Sequence, residues 1–363
     1  MENLLAFSIF SIATTSLSLH GSLAQAVLNN PKSFEQWCMQ KDFLPAATKK
    51  TVGVLLKTAK TQDCKLADSK LNSLSELYLV GNQISDIKPI ASLTNLTSLN
   101  LSFNQISDIK PLADLITINK LRLDNNQIVE VKPLESLTKL GILTLQHNQI
   151  SDIKPLTSLA NLVELDFADN QITNIKPLEG LTNLTRLSIF KNHIRSIESI
   201  SSLTNLTDIS IDQNQIVDIK PLERLTNLTS LWLSSNQISD VQPLSSLTNL
   251  NSLGLDYNQI TNIKPLKNLT DLTSLWLSNN QITNIKTLEN LTKLTFLKID
   301  HNQISEVHPL ASMANLEELE IDNNQITNIK PLAVLKKLTF LSFSSNPIGI
   351  KVCPVKPETV CSF

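Results

Sequence analysis

Residues able to do covalent or metal chemistry are few in this chain, and their spacing argues against it. Of five histidines, His20 lies in an apolar leader, while His147 and His301 stand 154 residues apart. No H-E-x-x-H, Gly-x-Ser-x-Gly or phosphate-binding glycine loop is present, and no cysteine stands beside a histidine. Acids (33) and Lys plus Arg (31) nearly balance, so no global charge draws the chain to nucleic acid or an anionic membrane. The conspicuous groups are aromatic. The chain has three Trp and two Tyr, yet "SLWLSSNQISDVQPL" (230–244) and "SLWLSNNQITNIKTL" (274–288) each set a Trp between two leucines. Such residues suit recognition better than catalysis, so no enzyme and no cofactor are expected.

What positions them is a repeat. Asparagine recurs every 22 residues from Asn82 to Asn346, thirteen times without a slip. Numbering from that Asn as zero, apolar residues stand at −8, −5, −3, +2, +5, +8 and +11. Around Asn236 these are Leu228, Leu231, Leu233, Ile238, Val241, Leu244 and Leu247. From −6 to −2 exposed and apolar positions alternate, the period of a half-buried strand. The Asn ends that strand, and its amide suits a hydrogen-bonding ladder at the turn. Pro at +7, as in Pro89, Pro111 and Pro243, predicts a turn or short 3₁₀ piece on the convex side. The copy at Asn192 loses Lys and Pro together, and the copy at Asn280 has Thr287 for Pro, so both are candidate irregularities in curvature. Lysines at +6 are offset by seven acids at +4, which predicts a neutral, solvated convex stripe.

The units "NQISDIKPL" and "LTNLTSL" resemble the 22-residue leucine-rich repeats of bacterial internalins, over roughly residues 71–346. The resemblance implies an α/β repeat solenoid: a horseshoe with a parallel sheet on its concave face. Its ends are expected to be a helical N-terminal cap over 27–70, from the spacing of Val52, Leu55, Leu56 and Ala59, and an irregular C-terminal cap over 347–363. The cysteines fall two at each end. Thirteen strands at ~4.8 Å put roughly 60 Å of arc between the ends, far beyond disulfide reach. Only Cys38–Cys64 and Cys353–Cys361 remain, which fits an oxidising compartment. "LLAFSIFSIATTSLSL" followed by "LAQA" reads as a signal peptide over 1–26, although its start carries Glu2 and no Lys or Arg. With no Ig-like extension, sorting signal or membrane tail recognised, a secreted or periplasmic product without membrane insertion is expected.

Positions −6, −4, −2 and −1 form the concave face. Column −4 holds ten residue types in thirteen copies, beside framework columns that barely change. The face has twelve acids and five bases, a formal −7 against −2 for the chain. Trp232 and Trp276 flank Gly254 at −4, which predicts a notch about two strand spacings (~9.6 Å) wide between two indole walls. The candidate ligand-binding residues are Trp232, Gly254, Trp276, Tyr257, Asp212, Asp256, Phe190, Lys298 and Asp300. The expected partner is a protein or peptide with basic and apolar groups. Alternatives are a surface glycan stacked on the same rings, or a cytosolic scaffold or regulatory subunit if residues 1–26 stay attached. Nucleic acid and a metal ion are not expected. Secretion predicts a mature chain starting at Val27; N-terminal sequencing of the native protein that finds residue 1 intact would refute it.

Overall fold

The computed structural model describes residues 31–349 and 352–362. The leader over 1–26 and its cleavage site lie outside the described residues. Each repeat contributes one three-residue strand, from β1 (Glu76–Tyr78) to β13 (Phe340–Ser342), and the first twelve copies each add one 3₁₀ turn, from Lys88–Ser92 to Lys330–Val334. The strands stack in sequence order into one open parallel sheet. Register advances by 22, as in Leu231 opposite Leu253, so like faces like along the whole solenoid. Every apolar column turns inward; Leu228, Leu231, Leu233, Ile238, Leu244 and Leu247 are fully buried. No copy could bury these faces alone, and stacking makes one continuous core.

The Asn column is the other half of that core. Asn214 Nδ2 donates to Ile211 O and Asp212 O of its own repeat and to Ile189 O of the one before, each at 3.1 Å. Its Oδ1 accepts the Ile194 N–H at 3.0 Å. One amide thus satisfies buried groups of two repeats that the strand ladder does not reach. Asn82 has no repeat before it, and its Nδ2 donates to Val80 O instead.

Position −1, just before the Asn, is left-handed in all thirteen copies, from Gly81 (φ +70°) to Ser345 (φ +56°). Its occupants include Asn, Asp, His, Ser, Gln, Phe and Tyr, and no Val, Ile, Thr or Pro. β-branched residues and Pro are the ones this backbone excludes. That gap in the column was a legible signal which alternation alone does not reveal.

On the convex side the 3₁₀ turns start at +6. Both irregular copies keep theirs, Glu198–Ile200 and Lys286–Asn290, while Lys110–Leu112 is short despite its Pro. The +4 column has a role besides the expected charge balance. Asp218 Oδ1 accepts the Lys220 N–H at 2.8 Å, and Asn262 Oδ1 accepts the Lys264 N–H at 3.0 Å. The uncharged amide serves equally as the acceptor that caps the turn, while Asp86 also lies 3.8 Å from Lys88 Nζ.

The N-terminal cap is helical: α1 (Phe34–Met39), α2 (Ala46–Ala59) and α3 (Cys64–Asn72). Val52, Leu55, Leu56 and Ala59 of α2 face the core, and the Thr51 hydroxyl donates to Asp86 O at 2.6 Å, tying cap to first repeat. Cys38–Cys64 and Cys353–Cys361 are both bonded, with Cα separations of 5.5 and 5.7 Å. The C-terminal cap is more regular than expected. Cys361–Ser362 forms β14, which pairs parallel with β13 and prolongs the sheet to fourteen strands. A two-residue strand needs no repeat signature; the Phe343 N–H donates to Ser362 O at 3.2 Å across the pair.

Asn214→Ala is expected to lower stability by about 1–3 kcal/mol, the usual cost of orphaning buried polar groups. Asn82→Ala should cost less than half as much. Denaturant melts of the two variants check this; equal losses would contradict the ladder.

Candidate functional site

Side chains at −6 and −4 leave the sheet on its concave side. The central strands are β8 (Ser230–Trp232), β9 (Ser252–Gly254), β10 (Ser274–Trp276) and β11 (Phe296–Lys298). Register places Gly254 directly between Trp232 and Trp276. The two indoles nevertheless touch across β9, with centroids 4.7 Å apart and planes at 51°. They do so because Trp232 lies down over Gly254, where a Cβ would stand 2.5 Å from Trp232 Cε3. Trp232 Nε1 donates to Ser230 Oγ at 2.9 Å, which fixes the ring. Gly254 is therefore buried, and the expected notch is closed by one of its own walls. Glycine at 254 is needed to seat the tryptophan and does not itself face a ligand.

Trp276 continues the contact to Phe296, at 4.8 Å and 37°. Three half-buried rings thus form one patch from β8 to β11. Phe296 escapes a count of Trp and Tyr alone; its place at −6, an outward position, was the available signal.

The acidic −2 column is committed to the scaffold before it meets any ligand. Asp212 accepts the Ser234 N–H at 2.8 Å and the Ser210 hydroxyl at 2.9 Å. Asp256 Oδ1 accepts the Ser278 N–H at 2.7 Å. These N–H groups point back at the preceding repeat beyond the three-residue ladder, so each carboxylate closes a pairing left open there. Asp300 is buried, takes the Ser278 hydroxyl, and lies 2.7 Å from His301 Nδ1. Asp212, Asp256 and Asp300, expected to face a ligand, are thus hydrogen-bonded within the scaffold as well. Burial raises the Asp212 carboxyl above its ordinary value and pushes Asp256 from 3.8 up to about 6, against the pull of the Ser278 N–H and Lys298.

Lys298 pairs with Glu320 at 3.0 Å; burial works to lower its ammonium, but Glu320 and the nearby acids outweigh that and raise it. Tyr257 projects from the left-handed position, 61% exposed. Phe190 is half-buried at −2, and its repeat's strand lies two strands before β8, apart from the ring patch. The structure thus brings Trp232, Gly254 and Trp276 together, sets Asp212 and Asp256 in one column of hydrogen-bonded acids, and leaves Phe190 outside the patch.

With this geometry in view, a model described as leucine-rich repeats in two copies matches residues 72–114, 160–202, 182–224, 226–268, 270–312 and 314–351. No curated protein sequence matches the chain. Among solved structures, it is similar to internalin InlF of Listeria monocytogenes, at 34% identity and TM-score 0.81 over 86% of this chain and 93% of that one. Internalin C2 of the same organism is 36% identical, with TM-score 0.52 over 58% and 91%. A leucine-rich repeat protein of Leptospira interrogans is 26% identical, with TM-score 0.71 over 82% and 91%. The chain belongs to the leucine-rich repeat family, as an internalin-like bacterial member. No helix among the described residues is long and apolar enough to cross a membrane.

Because the Asp256 carboxyl holds its proton more tightly folded than unfolded, stability should fall as pH rises from about 4 through 6. Asp256→Asn keeps the acceptor for Ser278 and removes the charge. It should flatten that part of the pH profile and gain on the order of 1 kcal/mol at pH 7, a figure discounted for partial exposure. Melts at pH 4 and pH 7 decide it: a variant that is no more stable than wild type at pH 7 contradicts the assignment.

Proposed function

We propose that this is a secreted, non-catalytic protein that binds a protein or peptide ligand on its concave face. The observation that carries the proposal is the ring patch Trp232–Trp276–Phe296, half-exposed on a fixed parallel sheet. Aromatic side chains held rigid by their neighbours lose little conformational freedom on binding and are common anchors of interfaces. The surrounding face carries seven more acids than bases, which favours a partner with basic and apolar groups. Tyr257, Lys298 and Asp300 border the patch and belong to the proposed surface. Secretion is supported by the apolar leader and by the two disulfides, which persist in oxidising compartments. The tilted contact between the two indoles removes the slot in which a sugar ring would be stacked between two walls, so the protein ligand is the preferred reading.

Pull-downs with residues 27–363 test it. Trp276→Ala and Phe296→Ala should each weaken capture of a bound protein by roughly 10–30-fold, the loss typical of a hot spot. Soluble polysaccharide should not compete. Capture that survives both substitutions would place the binding surface elsewhere.

A further inference from the structure

Five bases stand on the concave face, Lys120, Arg122, Arg186, Lys191 and Lys298. Three of them are paired. Arg186 Nε lies 3.8 Å from Asp208, Lys191 Nζ 2.8 Å from Asp169 and Lys298 Nζ 3.0 Å from Glu320. Each pair joins neighbouring repeats, where register sets an acid beside the base, as with Arg186 and Asp208 or Lys298 and Glu320. Lys120 and Arg122 differ. Both belong to β3 (Lys120–Arg122), which lies between β2 (Ser98–Asn100) and β4 (Ile142–Thr144). Register gives Lys120 the neighbours Ser98 and Ile142, and gives Arg122 the neighbours Asn100 and Thr144. Among the described residues, neither base has a carboxylate within ion-pair distance.

The acids closest in sequence and register are already engaged. Asp124, at −2 of the same copy, is buried. Its Oδ2 accepts the Ser102 and Thr144 hydroxyls at 3.1 and 2.7 Å, and its Oδ1 accepts the Gln146 N–H at 3.1 Å. Glu76, two strands away on β1, accepts the Tyr78 hydroxyl. Two like charges therefore leave one face of one strand, at positions ~6.6 Å apart along it, with no counter-charge of their own.

Arg122 carries a second, independent signal. Its Nε is sealed from solvent and has no hydrogen-bond partner, the one such buried side-chain nitrogen or oxygen among the described residues. A buried donor without an acceptor opposes folding, so the guanidinium is kept here at a cost to the scaffold. Its two Nη groups are not sealed, and they donate to nothing among the described residues. With Nε packed in, the guanidinium presents its Nη edge to the open side. Beside it, Asn100 Oδ1 accepts the Ser102 N–H at 3.0 Å, which leaves the Asn100 Nδ2 group as a further donor. β2 and β3 thus offer an amide, a guanidinium and an ammonium together, without an acceptor to use them.

Resting on the concave-face reading above, we propose that Lys120 and Arg122 receive one carboxylate of the protein ligand, held by the Nη edge of Arg122 with Lys120 as the second cation. The planar fork of a guanidinium matches a carboxylate in two parallel hydrogen bonds. A phosphate fits less well. Glu76 and Asp124 stand within the same three strands, so a second negative charge on the ligand meets repulsion. Tyr78 and Phe103, 59% and 60% exposed on the two preceding repeats, give the ligand apolar surface beside the pair. Covering them excludes water and strengthens the ion pair. The ring patch begins at β8, five strand spacings or roughly 24 Å from β3. An extended ligand spans that distance with about seven residues between its acid and the groups that meet the rings.

The test uses the purified protein labelled with nitrogen-15 arginine, at constant ionic strength. The Arg122 Nε–H signal, identified by its loss in Arg122→Lys, reports binding. The probes are acetyl-Gly-Glu-Gly-amide, whose acid is a side chain, and acetyl-Gly-Gly, whose acid is a free C-terminus. The controls are acetyl-Gly-Gln-Gly-amide and inorganic phosphate. At least one carboxylate peptide should shift the signal saturably and bind at least fivefold more tightly than either control, and the tighter of the two identifies the source of the acid. Lys120→Gln should weaken that binding at least threefold. Arg122→Met, which keeps the apolar stem, should melt no lower than wild type. The proposal is overturned if neither carboxylate moves the signal, if a control binds as tightly, or if Arg122→Met melts lower and so marks Arg122 as a scaffold residue. If no carboxylate binds while protein capture still depends on Trp276 and Phe296, only the Arg122 site is rejected. If a carboxylate binds but capture is independent of those rings, the site stands and the ring anchor fails.

Discussion

The structure depends on one amide, used twelve times, from Asn104 to Asn346, to join a repeat to the one before it. Each of these Asn must reach carbonyls of its own strand end, a carbonyl of the previous repeat and an N–H of the previous turn, as Asn236 does with Leu233, Ile211 and Ile216. Those partners are separated by fixed numbers of bonds, so the chain between successive asparagines must return to the same height and angle each time. A one-residue insertion in the −3 to +2 segment would move either the donor or the acceptor out of reach. The invariance of the 22-residue period is a hydrogen-bonding constraint as much as a packing one. It also fixes the left-handed −1 position, because only that backbone turns the strand onto the amide.

The same constraint frees the concave face. Since −5 and −3 point into the core and zero is buried, −6 and −4 can vary without touching the framework. They are not free of each other, however. Neighbours in a column are 22 residues apart in sequence and one strand apart in space, and a large ring must lie somewhere. Trp232 lies over β9, and glycine at 254 is its consequence. The −2 acids show a different compromise. Asp212 and Asp256 close backbone pairings of the next strand, yet stay near the surface and so lend the face their charge. Partial burial makes that charge costly, which is the origin of the raised Asp256 value.

What was legible in the sequence follows from what repeats. Periodicity shows the parallel sheet, the core columns, the Asn ladder and the outward position of Trp232, because each is imposed identically on every copy. The disulfides follow from the length of the array. Features that depend on one rotamer are not legible. The notch beside Gly254 is a correct deduction from strand spacing, defeated by the direction in which Trp232 falls. The capping done by the +4 column was hidden because charge and hydrogen-bond acceptance coincide in aspartate; the asparagines at 174, 262, 284 and 328 separate the two. β14 lies outside the repeat, so no period announces it.

Trp232 belongs to two environments at once. One side of its ring belongs to the apolar patch with Trp276, and the indole also bounds an acidic hollow over Ser188 and Ser210. In a solenoid each repeat contacts only its neighbours, so distinct sites are ordinarily independent. A shared ring removes that independence here. Any movement of Trp232 toward Ser210 would uncover Gly254 and separate the indoles, and any movement away would press it into β9, where the glycine already allows the closest approach. The ring is held between these limits by its hydrogen bond to Ser230. The apolar patch therefore keeps one fixed arrangement on the concave face, set by that bond and by the glycine beneath the ring.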